Sequence, residues 1–141
     1  MSSDDAPLSV ARVIAKLEPG GAQLGAFRLS ASLRRHGIES RLLVGDTTRA
    51  GIQVALEHGL EPECFQRRVT ALQWTPSLDF ADLLAPRLAG CDLVHGHMFG
   101  GWWAAAQAVP VGVPLVASEH NAITWPGEPH NDAFRAALER V

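Results

Sequence analysis

Three short stretches of the chain gather residue types that could do chemistry. In Glu18-Pro-Gly-Gly-Ala-Gln23 two glycines stand where an apolar run gives way to a helical pattern. The first N–H groups of a helix carry partial positive charge, and Gly20 and Gly21 would let a phosphate or carboxylate approach the backbone closely. The same residues also suit a tight strand-to-helix turn with no guest. In Asp92-Leu-Val-His-Gly-His97 an apolar run ends in two histidines spaced by one residue. A neutral imidazole donates one hydrogen bond and accepts another, which suits a hydroxyl and makes His97 a candidate catalytic residue. The alternative is a strand-end histidine satisfied by backbone. His95 lies deeper on the same face and is expected to be structural. In Ser118-Glu-His-Asn121 an imidazole and an amide follow a carboxylate. His120 is a candidate for the anion site and Asn121 for a second substrate. With His97 they also invite a metal reading, but the spacing is not that of a zinc motif, and no metal is expected. Trp102 and Trp125 are candidate aromatic contacts to a ligand. Neighbouring helical residues point in different directions, so one of Trp102 and Trp103 is expected in the core and the other at the cleft or under a further domain.

Alternating strand and helix patterns position these stretches. Residues 12–17 read as a first strand, and residues 22–36 as a helix whose stripe is Ala22, Ala26, Leu29 and Leu33. Gly37 ends it. A second strand is expected over 39–44, a weak helix over 52–58, a short strand over 68–72, and a helix from Ser77 to about Leu88. Ser77 would cap that helix, and Pro86 strains its last turn. Later come a strand over 92–95, a helix from Gly100 or Gly101 to Ala108, a strand over 113–117 and a helix over 132–141. Strands separated by helices imply parallel βαβ units. The expected fold is α/β, a Rossmann-like open parallel sheet with helices on both faces. Ligands bind such sheets at the carboxyl ends of the strands, where all three stretches fall.

Composition excludes several classes. The chain has 141 residues, 47% hydrophobic, and a net charge of −3, so it fits one domain with a real core and no basic footprint for nucleic acid. No apolar run is long enough to span a bilayer, and the acidic, polar start does not resemble a signal peptide. These features lead to the expectation of a cytoplasmic protein with a frayed tail over 1–10 and one domain over 11–141. Two cysteines, Cys64 and Cys91, do not make a disulfide framework, and Cys91 is expected to be buried. There is no G-x-G-x-x-G pattern, no G-x-x-x-x-G-K-[ST] loop, no glycine-flanked serine nucleophile, no D-x-D pair and no tyrosine.

In order and spacing the three stretches resemble the N-terminal half of a glycosyltransferase family 4 enzyme with the GT-B fold. The segments that carry the resemblance are Glu18–Gln23 with Leu29–Gly37, Asp92–His97 and Val113–His120. The resemblance implies Gly20 and Gly21 near a donor diphosphate, His97 beside the reacting sugar and His120 lining the same cleft. It implies a nucleotide diphosphate sugar as donor substrate, no cofactor, and an acceptor held by this domain. The paired glutamates and the basic pair that grip the donor would belong to a C-terminal domain or subunit. No two glutamates here are eight apart, so this chain by itself is expected to be inactive and an incomplete domain. Two rival expectations stand beside this one. One is a non-catalytic module that holds a sugar, a phosphate or a partner, self-associating through an exposed edge. The other is a different Rossmann-like enzyme, such as an epimerase or a hydrolase.

Overall fold

The computed structural model describes residues 6–65, 75–120, 132 and 135–141. Five strands form one all-parallel sheet: β1 (Leu8–Leu17), β2 (Ile38–Thr47), β3 (Pro62–Cys64), β4 (Leu93–His97) and β5 (Leu115–Ser118). Four helices alternate with them: α1 (Gly21–Arg34), α2 (Arg49–Glu57), α3 (Leu78–Leu88) and α4 (Met98–Ala108). The sheet order is β3-β2-β1-β4-β5. The chain therefore winds outward from β1 in one direction, then returns to lay β4 against its other side. The crevice between β1 and β4 is the topological switch point, the place where such sheets bind ligands.

Burial explains why these segments are strands. Parallel sheets are covered on both faces, so their strands read as continuous apolar runs instead of alternating ones. On one face Ala11, Val13 and Ala15 pack with Phe80, Leu84, Leu88, Phe99 and Trp102 from α3 and α4. On the other, Ile14, Leu17, Leu42 and Val44 pack with Ala26 and Phe27 of α1 and Ala55 of α2. The helix stops are positive-φ glycines: Gly37 after α1 (φ 74) and Gly59 after α2 (φ 72). Side-chain caps start two of the helices, Thr48 Oγ1 accepting from the Gly51 amide and Ser77 Oγ from Phe80.

Several expectations need correction. β1 starts at Leu8, so residues 8–10 belong to the sheet and not to a frayed tail. They are held because β1 pairs on both sides, Leu8 with Ile38 and Val10 with Leu93, and because the Ser9 amide donates to the Asp92 carboxylate at 2.7 Å. β2 and β4 each run farther at the carboxyl end than the apolar pattern indicates, carrying Asp46 and His97 into the ladder. The third strand is Pro62–Cys64, an edge strand too short to leave a periodic signal, and residues 68–72 lie outside the described residues. α3 continues through Pro86 because its ring and Asp82, whose carbonyl loses a partner there, lie on the exposed side. From the last expected helix, residues 135–138 are helical and Ala137 is in the core.

The buried stripe of α1 is also rotated from the expected one. Gln23, Ala26, Phe27 and Ser30 face the sheet. Two of these are polar, and each is satisfied: Gln23 Nε2 donates to the Lys16 carbonyl at 3.3 Å and Ser30 Oγ to the Ala26 carbonyl at 2.9 Å. Leu29 (41% exposed) and Leu33 instead line an open apolar groove of about 330 Å³ with Leu8, Val10 and Leu93.

Candidate functional site

Two helix starts meet at the switch point. β1 ends at Leu17, and Gly20 is the N-cap of α1, with no side chain to cap it. Its backbone is extended (φ −173°), so conformation alone does not demand glycine there. A Cβ on Gly20 would meet only the tip of the Gln23 side chain, Oε1 at 2.8 Å, which a shift of that amide relieves. A Cβ on Gly21 would meet nothing within 4 Å, so the space beside that residue is open. Beside this turn Lys16 Nζ lies 3.1 Å from Glu18 Oε2.

β4 delivers His97 to the same edge. His97 pairs with Ile14 of β1 on one side and Ser118 of β5 on the other. It is 4% exposed, yet neither ring nitrogen has a hydrogen-bond partner among the described residues. Unpaired buried polar atoms cost stability and are uncommon, so such a residue calls for an explanation. Burial, followed by the positive fields of His95, Arg12 and His120, holds its pKa down to about 3. His97 is therefore a neutral imidazole at any physiological pH. It also serves as the N-cap of α4 without a side-chain cap bond. The next residue, Met98, has φ 56, a left-handed conformation that costs a non-glycine residue about 1–2 kcal/mol. A β-branched side chain tolerates it least. Met98→Val is therefore expected to lower the melting temperature, with no matching loss for Met98→Asn.

His95 and His97 project from the same face, their rings stacked at 4.0 Å and 30°. The exposed ring of His120 lies parallel to His97 at 6.4 Å and 6°. Parallel rings aim their nitrogen lone pairs in separate planes, an arrangement that favours individual hydrogen bonds over joint ligation of one ion. His95, the structural one, is fully engaged. Arg12 Nη1 donates to its Nδ1 at 2.8 Å, and its Nε2 reaches Ser118 Oγ at 2.7 Å. Burial, then Arg12 and His120, lower its pKa to about 4.

These two histidines make stability depend on pH in a definite direction. Their ordinary pKa of 6.5 applies in the unfolded chain, so between 6.5 and about 3–4 the unfolded state binds more protons than the folded one. Stability is complete above pH 6.5 and falls as pH drops through that window. Thermal melts at pH 7 and pH 5 are expected to show a lower melting temperature at pH 5. His97→Leu is expected to narrow the gap.

The tryptophans depart from expectation. Trp102 is 1% and Trp103 8% exposed, so both rings are buried, against the expectation of one at the cleft or under a further domain. α4 is apolar around its circumference and packs against β1, β4, β5 and α3, which lets adjacent residues both be buried. Trp102 Nε1 donates to Glu119 Oε2 at 3.3 Å, linking α4 to the end of β5. Asn121 and Trp125 lie outside the described residues. Sequence reasoning also missed Arg12. Its signal is legible afterwards: one charged residue inside Ser9-Val-Ala-Arg-Val-Ile-Ala15, paired in register with His95 and 1% exposed.

The family model described as Glycosyltransferase Family 4 matches residues 19–141. The chain belongs to this family. Comparison with curated proteins finds no match. As a glycosyltransferase family 4 domain, the chain keeps the glycine turn, the His97 edge and the end of β5 inside the matched span. Among the described residues no helix is long and apolar enough to cross a membrane.

Proposed function

We propose that the chain is the acceptor-side domain of a retaining glycosyltransferase of the GT-B kind. The complete enzyme moves a sugar from a nucleotide diphosphate donor to an acceptor hydroxyl. The observation that carries this reading is His97: buried, neutral, with both nitrogens unpartnered, at the switch point of a domain of this family. In this reading the sugar supplies the missing partners, His97 donating to one oxygen and offering a lone pair toward charge developing at the transferred carbon. Gly20 and Gly21 leave the first N–H groups of α1 open to a phosphate oxygen, which favours departure of the diphosphate. Positioning two substrates across the edge supplies much of the remaining acceleration. His120, stacked beyond His97, lines the same cleft on the donor side. A C-terminal domain or subunit holds most of the nucleotide. In this reading transfer proceeds without a metal ion.

The test is transfer by the complete polypeptide from nucleotide diphosphate hexoses to acceptors bearing free hydroxyls, followed by proton NMR of the fresh product. The anomeric configuration of the donor is expected in the product, and turnover is expected to survive EDTA. Inversion at the anomeric carbon would refute the retaining assignment. A second reading has its own observation: the open groove between α1 and the sheet, lined by Leu8, Val10, Leu29 and Leu33. It would suit a non-catalytic module that associates through apolar surface. Absence of transfer together with a defined oligomer would favour it.

A further inference from the structure

Arg12, His95 and Ser118 are joined in series across three adjacent strands. Arg12 Nη1 lies 2.8 Å from His95 Nδ1, and His95 Nε2 lies 2.7 Å from Ser118 Oγ. Direction can be assigned to every bond in this chain. A guanidinium has donors only, so His95 Nδ1 must accept. A neutral imidazole that accepts at Nδ1 carries its hydrogen on Nε2, and that hydrogen must point at Ser118 Oγ. The hydroxyl therefore accepts from His95 and cannot donate back to it. Its own hydrogen is left for something else, and no other hydrogen bond to this hydroxyl occurs among the described residues. Ser118 is half-buried at the carboxyl end of β5, opposite His97 in the β4–β5 ladder.

We propose that Arg12 and His95 form a one-way hydrogen-bond relay that commits the Ser118 hydroxyl to donate, at the strand edge beside His97, to an acceptor oxygen of the bound ligand. The oxygen is a sugar hydroxyl or a phosphoryl oxygen. Arg12 and His95 are positioning residues, and Ser118 touches the ligand. Without Arg12, His95 could place its hydrogen on Nδ1, and Ser118 would turn its own hydrogen inward to Nε2. The buried arginine of β1 thus sets the polarity of a group two strands away. Burial of the guanidinium works against its charge, which is a cost that a merely structural residue at this position would avoid.

The assignment of ligand contact deepens the glycosyltransfer reading and rests on it, whereas the direction of the relay does not. Two measurements separate them. The first is long-range nitrogen–proton correlation of histidine-labelled protein at pH 7, which identifies imidazole tautomers without any activity. His95 is expected as the Nε2–H tautomer in the wild type and in Arg12→Lys, and as a mixture in Arg12→Met. An Nδ1–H tautomer or an imidazolium at His95 in the wild type would overturn the relay. The second is turnover of the complete enzyme. Ser118→Ala is expected to lower kcat/KM about tenfold, the weight of one net hydrogen bond, and Ser118→Thr to restore most of it. A loss in kcat would assign the contact to the reacting sugar, and a loss in KM alone to uniformly bound oxygens. An active Ser118→Ala enzyme with unchanged kcat/KM would overturn the ligand contact. A wild-type enzyme that transfers no sugar at all would count against the glycosyltransfer reading, and the tautomer spectrum would still decide the relay.

Discussion

His97→Ala is expected to reduce kcat/KM of the complete enzyme by about 100-fold or more, in the range seen when a positioned polar group at a reacting centre is removed. The fold should barely register the change. A buried ring ordinarily contributes packing, and its truncation ordinarily costs stability. Here the ring also buries two nitrogens without partners, each a liability of about 1–3 kcal/mol. The two effects oppose each other, so thermal unfolding of His97→Ala is expected within about 1 kcal/mol of the wild type. His97→Leu fills the space without burying polar atoms and is expected to melt higher than the wild type while remaining inactive. Such a pair of results is the signature of a residue kept for its chemistry at the expense of the fold. A large fall in melting temperature for both variants would instead make His97 a packing residue.

Gly96→Ala is expected to have the opposite profile, a collapse of stability. Gly96 lies between the two histidines of β4, on the face that packs against α4. A Cβ there would lie 2.3 Å from Trp102 Cα and 2.5 Å from Trp102 Cβ. Neither atom can move without carrying the helix with it, and Trp102 is locked by Phe99 on one side and Glu119 on the other. Inserting a methyl against an immovable neighbour costs about 3 kcal/mol or more. Chemical denaturation should show the midpoint falling with little change in slope. Gly101→Ala is expected to share part of the effect, since its Cβ would meet the Val13 carbonyl at 2.9 Å. By contrast Gly21→Ala meets nothing, so any consequence it has should appear in phosphate binding and not in stability. The motif His95-Gly-His97 thus places two imidazoles on one face and no side chain on the other, where α4 seats.

The sequence made the architecture readable because a doubly covered parallel sheet writes itself as apolar runs separated by helical stripes. Leu42 to Val44, Val94 and the α3 stripe through Phe80, Leu84 and Leu88 are such signals. The edges were less readable. β3 has three residues, and β1 gains Leu8 to Ala11 only through pairing with neighbours that local pattern does not reveal. The rotation of α1 was hidden for a related reason. Gln23 and Ser30 look like surface residues until their hydrogen bonds to Lys16 and Ala26 are seen. At the site, the strand-end positions of Gly20, Gly21, His97 and His120 were legible from spacing. The tryptophans were misjudged because the rule that adjacent residues diverge holds for a helix with one buried side, and α4 is enclosed. Arg12 and Ser118 were invisible as a pair because their link runs through His95, across register that only the folded sheet creates.

The central claim is that the β1–β4 edge holds the donor's diphosphate and sugar. A crystal structure of the complete enzyme with an intact nucleotide diphosphate sugar tests it most directly. The predicted result is phosphate oxygens about 3 Å from the backbone amides at Gly20 and Gly21, with a sugar hydroxyl paired to a nitrogen of His97. A donor bound elsewhere, with His97 still unpartnered, would contradict it.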